Sequence, residues 1–276
     1  MRVPIKYKLV NNYLYARSGK QQEWKKVYSF PQKSESYTPI NQYFGENRVS
    51  FYKDLGMKGH NGIDWFAPDG TSLYASITGE IAWVSPENDN GYGKAIILIG
   101  DEDDDGKALS VIYGHLQYIF VRAGDLVKEG DLLGTCDNTG KYTTGAHLHE
   151  GFIQLEKMKG GLTQYWLRRE YGYKQDNGYL GYFNHLPLIG EYNVMSSDKY
   201  EKKIVQRVDT VNGAKGQCYW VENGDWKFLD SEKNPVTRHI PLVDKILDIM
   251  NKGIAPNSYV AITEKEFAPF KDNIIV

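Results

Sequence analysis

Cysteine is nearly absent: Cys136 and Cys218 are the only two among 276 residues, and they fall in segments that read as different domains. A disulfide framework therefore does not hold this fold together, and both thiols read as reduced, partly buried and without chemistry. Long apolar runs are missing too. No window approaches the ~20 apolar residues that a bilayer-spanning helix needs, and the opening Met1-Arg2-Val3-Pro4-Ile5-Lys6-Tyr7-Lys8 has no apolar stretch of signal-peptide length. The expectation is a chain with neither a signal peptide nor a membrane span. Charge of one sign is in no excess, with 33 Lys+Arg against 35 Asp+Glu. Nothing in that balance points to nucleic acid as a bulk electrostatic partner. No repeat or low-complexity tract is evident.

What is present is glycine and tyrosine, 28 and 21 of them, in a chain long enough for one medium domain and a small one. From Gly70 onward short apolar runs alternate with turn residues: Ser72 to Ala75, Gly79 to Ser85, Ala95 to Gly100 and Leu109 to Gly114. No helical period intervenes, so an antiparallel β-sheet domain is expected there. Asp101 to Gly106 reads as a solvated acidic hairpin, because it lacks the spacing and distal glutamate of an EF-hand. Residues 1–36 read as a leading arm or hairpin with short strands at Tyr13 to Tyr15 and Lys26 to Tyr28. Val121 to Gly134 reads as scaffold. Leu155 to Asn193, with Trp166, Arg168, Arg169, Tyr171, Tyr173, Tyr179 and Tyr182, reads as a packed excursion over the sheet.

A boundary near Tyr192 to Lys203 introduces a smaller α+β unit. Strands are expected at Ile204 to Val208, Gln217 to Val221 and Trp226 to Leu229, the last two joined by an Asn223-Gly224 hairpin signal. Apolar residues at helical spacing from Pro241 to Met250 predict a helix ended by Gly253. Thr263 to Glu266 matches a capping box.

Chemistry concentrates in the histidines. His147-Leu148-His149 lies on an extended segment, where side chains repeat every second position, so two imidazoles share a face and Leu148 points into a core. His60 and Asp64 stand at His-x-x-x-Asp spacing, with Gly62 between them, where a backbone conformation that only glycine adopts cheaply is expected. His115 follows Gly114 at a strand end. One histidine joined to His60 and Asp64 makes a three-donor nitrogen and oxygen set that suits zinc and leaves a position for water. His185 and His239 have no partner motif and are assigned no chemistry.

The order His60-Asn61-Gly62-Ile63-Asp64, then Tyr113-Gly114-His115-Leu116, then Thr144-Gly145-Ala146-His147-Leu148-His149 resembles the lysostaphin/LytM-type zinc endopeptidases that cut peptidoglycan peptides. The resemblance runs from about Gln42 to Ile153, more loosely to Gly190. It implies a mainly β fold, an antiparallel sheet with an open active-site groove at 37–195; the small α+β domain at 196–276 lies beyond the resemblance. Carried over by position, it places the zinc ligands at His60, Asp64 and His149 and two non-ligand catalytic histidines at His115 and His147. An aromatic residue commonly follows the second histidine in that family, whereas Glu150 stands here. Glu150 is expected to point away from the metal as an exposed or outer carboxylate.

The activity so implied is zinc-dependent hydrolysis of a peptidoglycan peptide, with His115 and His147 dividing proton transfer and oxyanion stabilisation between them. A wall-directed enzyme without an export signal suggests a phage lysin or virion-associated protein, its last domain serving wall targeting or assembly. The alternatives are a catalytically inactive zinc-binding module, such as a phage tail component, and a sugar-binding β-sandwich, which would not need clustered histidines.

Overall fold

The computed structural model describes residues 1–19, 21–30, 36–87, 91–157, 171–172, 177–189, 194–195, 204–207, 218–222, 225–230, 259–263, 267 and 274–275. The chain divides into two compact units, one of Met1–Lys6, Ala16–Val27 and Pro39–Tyr192, the other of Tyr7–Tyr15, Tyr28–Thr38 and Asn193–Val276.

In chain order the strands are β1 (Tyr7–Val10), β2 (Tyr13–Ser18), β3 (Glu23–Ser29), β4 (Ser36–Tyr37) and β5 (Ile40–Gln42), then the one-turn helix α1 (Phe51–Asp54). There follow β6 (Ile63–Trp65), β7 (Ser72–Tyr74), β8 (Gly79–Ser85), β9 (Ala95–Gly100), β10 (Lys107–Gly114), β11 (Leu116–Ile119), β12 (Leu126–Val127), β13 (Leu132–Cys136), β14 (Leu148–Lys157), β15 (Tyr171–Gly172) and β16 (Tyr182–Phe183). The remainder are β17 (Val194–Met195), β18 (Ile204–Arg207), β19 (Cys218–Glu222), β20 (Asp225–Asp230), β21 (Tyr259–Ile262) and β22 (Ile274–Ile275).

The first unit is built on a nine-stranded sheet in the order β12-β8-β9-β10-β14-β6-β5, with β15 and β16 also pairing β14, and a three-stranded sheet β11-β13-β7. All pairs within these two sheets are antiparallel. This is the expected antiparallel β domain, and the four apolar runs of the sequence fall on β7 to β10.

The large sheet is buried on both faces at its centre. Along β9, Ile96, Ile97, Leu98 and Ile99 are all buried, so no alternation with polar residues survives there. One face carries Ile97, Ile112, Ile153, Leu155 and Tyr182. On the other, Tyr113 accepts a hydrogen bond from the Ser76 amide at 2.9 Å, which seats the end of β7 against it. The acidic turn between β9 and β10 is solvated as expected, and Asp103 Oδ1 accepts from the amides of Asp105 and Lys107. Ahead of the sheet, the turn after β2 lies against β7, where Ser18 Oγ donates to Gly70 O at 2.8 Å.

In the second unit, β18 to β22 form a five-stranded sheet in the order β21-β18-β19-β20-β22. The strands expected on either side of the Asn223-Gly224 signal pair antiparallel as β19 and β20, with Glu222 opposite Asp225. The Phe267 amide donates to Thr263 O at 3.0 Å; Glu264 to Glu266 of the expected capping box lie outside the described residues. The helix expected at 241–250 with its stop at Gly253, and Trp166, Arg168, Arg169, Tyr173 and His239, lie outside the described residues. Among the described residues no helix is long and apolar enough to cross a membrane.

Candidate metal centre

Register brings the donors together. On β14 and β6, His149 and Asp64 are direct cross-strand partners, so their side chains project from one face at neighbouring positions. His60 lies three residues before β6 and reaches the same point. His60 Nε2, Asp64 Oδ1 and His149 Nδ1 form a triangle with edges of 3.0 Å and 3.1 Å. All three residues are buried. Tetrahedral zinc with bonds of about 2.0–2.1 Å holds its ligand atoms about 3.3 Å apart, close to these edges. Two imidazole nitrogens and a carboxylate oxygen are zinc donors, so the set fits that ion.

Hydrogen bonds fix the tautomers. His60 Nδ1 is 3.2 Å from Tyr43 O, and donation to that carbonyl leaves Nε2 as a bare lone pair facing the triangle. His115 Nδ1 lies 2.6 Å from Thr139 O, and His147 Nδ1 lies 2.7 Å from Gly145 O. Each of these therefore also keeps Nε2 free of its proton. Neither is a corner of the triangle. Their rings pack 4.7 Å apart, His115 is 6.1 Å from the His149 ring, and His147 Nε2 is 3.5 Å from the second Asp64 oxygen. Thus the structure gathers His60, Asp64, His149, His115 and His147 at one place. His115 holds a left-handed backbone, φ 62°, at the chain reversal between β10 and β11. A non-glycine residue pays for that conformation, and such outliers gather at functional sites.

Burial makes His115 and His149 poor bases toward bulk protons. Burial first, then the charges of His147 and His149, push His115 down to about 3. Burial and the neighbouring His60 and His147 outweigh the Asp64 carboxylate and bring His149 down to about 4. For Asp64, burial pushes upward, but the neighbouring His60, His147 and His149 hold it well below the usual carboxylate range.

A pH dependence follows for the metal-free chain. Below the ordinary histidine value of 6.5 the unfolded chain takes up protons that folded His115 and His149 refuse. Stability is therefore lost as the pH falls from there toward their folded values, by up to about 1.4 kcal/mol per pH unit for each histidine. Asp64 adds a further loss below its ordinary 3.8, as its depressed carboxylate is protonated. The thermal midpoint of chelated protein is expected to hold steady above about pH 7 and to drop across the acid window. A midpoint flat through that window contradicts the assignment.

Gly62 turns out to be required for space rather than for an unusual backbone angle. It is not among the glycines with positive φ, but a Cβ there would stand 2.5 Å from His149 Cε1, 2.7 Å from its Nε2 and 2.5 Å from Glu150 O. Gly62→Ala is expected to displace the His149 ring and abolish stoichiometric zinc binding while the β signal in circular dichroism persists. Metal analysis of the purified variant checks this, and full zinc occupancy would contradict it.

Two residues differ from the sequence expectation. Glu150 does point away from the metal, but it is fully buried rather than exposed, because the opposite face of the sheet is core. Its Oε2 accepts from Trp65 Nε1 at 3.0 Å and pairs with His185 Nε2 at 3.2 Å. His185, assigned no chemistry above, is equally buried and packs its ring 4.4 Å from Phe152. Tyr92 also escaped notice. Its hydroxyl accepts from Asn61 Nδ2 at 2.8 Å, its ring lies 5.2 Å from that of His149, and its carbonyl accepts from the His115 amide.

The donors sit in a cavity of about 620 Å³ whose lining includes Phe51, Trp83, Tyr92, Tyr142, Leu180 and Tyr182. Ile97 and Ile112 of the sheet also line it.

Comparison with known proteins bears on residues 58–159, which match peptidase family M23. The chain is 34% identical over 113 residues to the DD-carboxypeptidase/endopeptidase Mpg of Neisseria meningitidis, covering 41% of this chain and 24% of that protein. It is 34% identical over 97 residues to the peptidoglycan DD-endopeptidase ShyC of Vibrio cholerae, covering 35% and 21%. Over 97 residues it is 38% identical to lysostaphin of Staphylococcus simulans, covering 34% and 18%. The matched segment thus spans about a quarter or less of each of these relatives.

Proposed function

We propose, from the match of residues 58–159 to peptidase family M23, that the chain is a zinc-dependent endopeptidase acting on the peptides of bacterial peptidoglycan. The observation that carries this is the donor triangle of His60, Asp64 and His149 beside two histidines whose Nε2 atoms are unprotonated and unengaged by backbone. The names of the relatives, an endopeptidase of peptidoglycan among them, supply the substrate class.

His60, Asp64 and His149 would hold the ion. Zinc bound there supplies Lewis acidity toward a scissile carbonyl and a water acidified to a pKa near about 7. The chain's own groups do the rest. His147, with Nε2 3.5 Å from Asp64, takes the proton of the attacking water, since donation from Nδ1 to Gly145 O leaves the Nε2 lone pair free for it. His115, anchored on Thr139 O with its ring 4.7 Å from that of His147, orients the attacking water by accepting a hydrogen bond at its bare Nε2, and the proton taken by His147 is the one returned to the leaving amine. The cavity is the substrate groove, with Ile97 and Ile112 as floor and aromatic rings as walls. Residues 37–195 form the catalytic domain in this reading, and 196–276 serve to anchor it to the wall or to a larger particle.

The test is mass spectrometry of fragments released from purified peptidoglycans of differing cross-bridge chemistry. Chelator-sensitive appearance of new peptide N-termini is expected. No release from any wall type by zinc-loaded protein would overturn the assignment in favour of a zinc-binding module without turnover.

A further inference from the structure

Phe51 and Tyr142 belong to different walls of the cavity that holds the metal donors. Phe51 opens α1 in the segment before His60, and Tyr142 stands in the segment before His147. Both line the cavity, and their rings stack on each other, with centroids 5.3 Å apart and planes inclined by 25°. On its other side Tyr142 lies flush against a third wall. A Cβ added to Gly91 would stand 2.8 Å from Tyr142 Cδ2, and the Tyr142 amide approaches Gly91 O at 3.4 Å. One ring therefore links three loops, and the cavity is bounded where they meet.

Behind Phe51 the wall is braced. Tyr52 packs 4.6 Å from Phe51, its hydroxyl accepts from Gln42 Nε2 at 3.0 Å, and its ring lies 5.9 Å from that of His60. This wall cannot retreat without disturbing the residues beside the donors. Tyr142 is the more yielding partner, since it is 42% exposed and is held by ring contacts and one long hydrogen bond.

We propose that the Phe51–Tyr142 stack is a specificity-determining clasp that fixes the width of peptide admitted beside the metal centre. A slim segment, with glycine or alanine next to the scissile bond, passes with the rings in contact. A segment whose neighbouring residue carries a bulky or branched side chain enters only by separating them, at the cost of the stacking contact. The inference rests on the endopeptidase reading for its occupant but on the ring geometry for its mechanism.

Two soluble peptides sharing one scissile bond provide the test, one flanked by small residues and one bearing an amide-linked branch at the neighbouring position. Dissociation constants by calorimetry and kcat/KM are measured for zinc-loaded wild type, Phe51→Ala, Tyr142→Ala and Gly91→Ala, the last pushing the ring from behind. The ratio of branched to slim peptide, in affinity and in kcat/KM, is expected to rise by about tenfold or more in Phe51→Ala and Tyr142→Ala, and to change in Gly91→Ala, with zinc content unaltered. Ratios within about twofold of wild type in all three variants would overturn the clasp. Wild type that binds the slim peptide without cutting it would overturn the endopeptidase reading alone, because the affinity ratios still report on the clasp. Binding of neither peptide would overturn both.

Discussion

Alanine at position 147 is expected to leave one zinc per chain in place and to lower turnover by about 10²–10⁴-fold, the range for loss of a positioned general base. The expectation comes from where His147 stands. It is outside the triangle of His60 Nε2, Asp64 Oδ1 and His149 Nδ1 but 3.5 Å from the other Asp64 oxygen. His149→Ala and Asp64→Asn should differ in kind, by losing the metal itself, since each deletes a corner. Zinc analysis alongside kcat on a peptide substrate separates the two classes. Zinc loss in His147→Ala, or zinc retention in Asp64→Asn with full activity, would require the roles to be redistributed.

The second large effect is on stability and lies on the far side of the same strand. Glu150→Ala is expected to destabilise the fold by about 3–5 kcal/mol, the penalty for stranding one member of a buried polar pair. The His185 imidazole and the Trp65 indole N–H would both be left without the carboxylate in a region with no access to water. Removing both partners removes the stranded group, so a Glu150→Leu, His185→Leu double variant should recover part of the loss. Denaturant unfolding of the single and double variants measures this. A change below about 0.5 kcal/mol in Glu150→Ala would mean that the pair contributes nothing.

The contrast between these two residues shows what was readable in advance. The positions of β7 to β10 were visible because apolar runs and turn residues are local signals. The five residues that the structure gathers at one place could be named from three short motifs, and the alternation at His147-Leu148-His149 put Leu148 correctly into the core. That Asp64 and His149 would sit opposite each other was not readable, because register joins positions 85 residues apart. Glu150 was sent to the correct face, but whether that face meets water depends on what the rest of the chain lays over it. His185 was passed over for the same reason, since its partner is distant in sequence. Phe51–Asp54 is too short to show a helical period, and its stacking partner Tyr142 stands outside any strand or helix, where no local pattern marks it. Gly62 was marked for the right position with the wrong cause, since a steric vacancy leaves no trace in one sequence.

The pairing of Asp64 with His149 has a consequence for mechanics rather than chemistry. Strand β6 has three residues, and beyond it, among the described residues, only the equally short β5 closes that side of the sheet. Two of the three metal donors lie on opposite sides of the β14–β6 seam, and the third lies just ahead of β6. An ion there rivets the seam shut. Pulling it out should release β5 and β6 as one locally opening piece, seen as faster amide hydrogen exchange at 63–65 and 148–150 while the β9–β10 centre stays protected. Metal content would then govern how readily this edge is attacked by foreign proteases, a property that matters to any enzyme working among them.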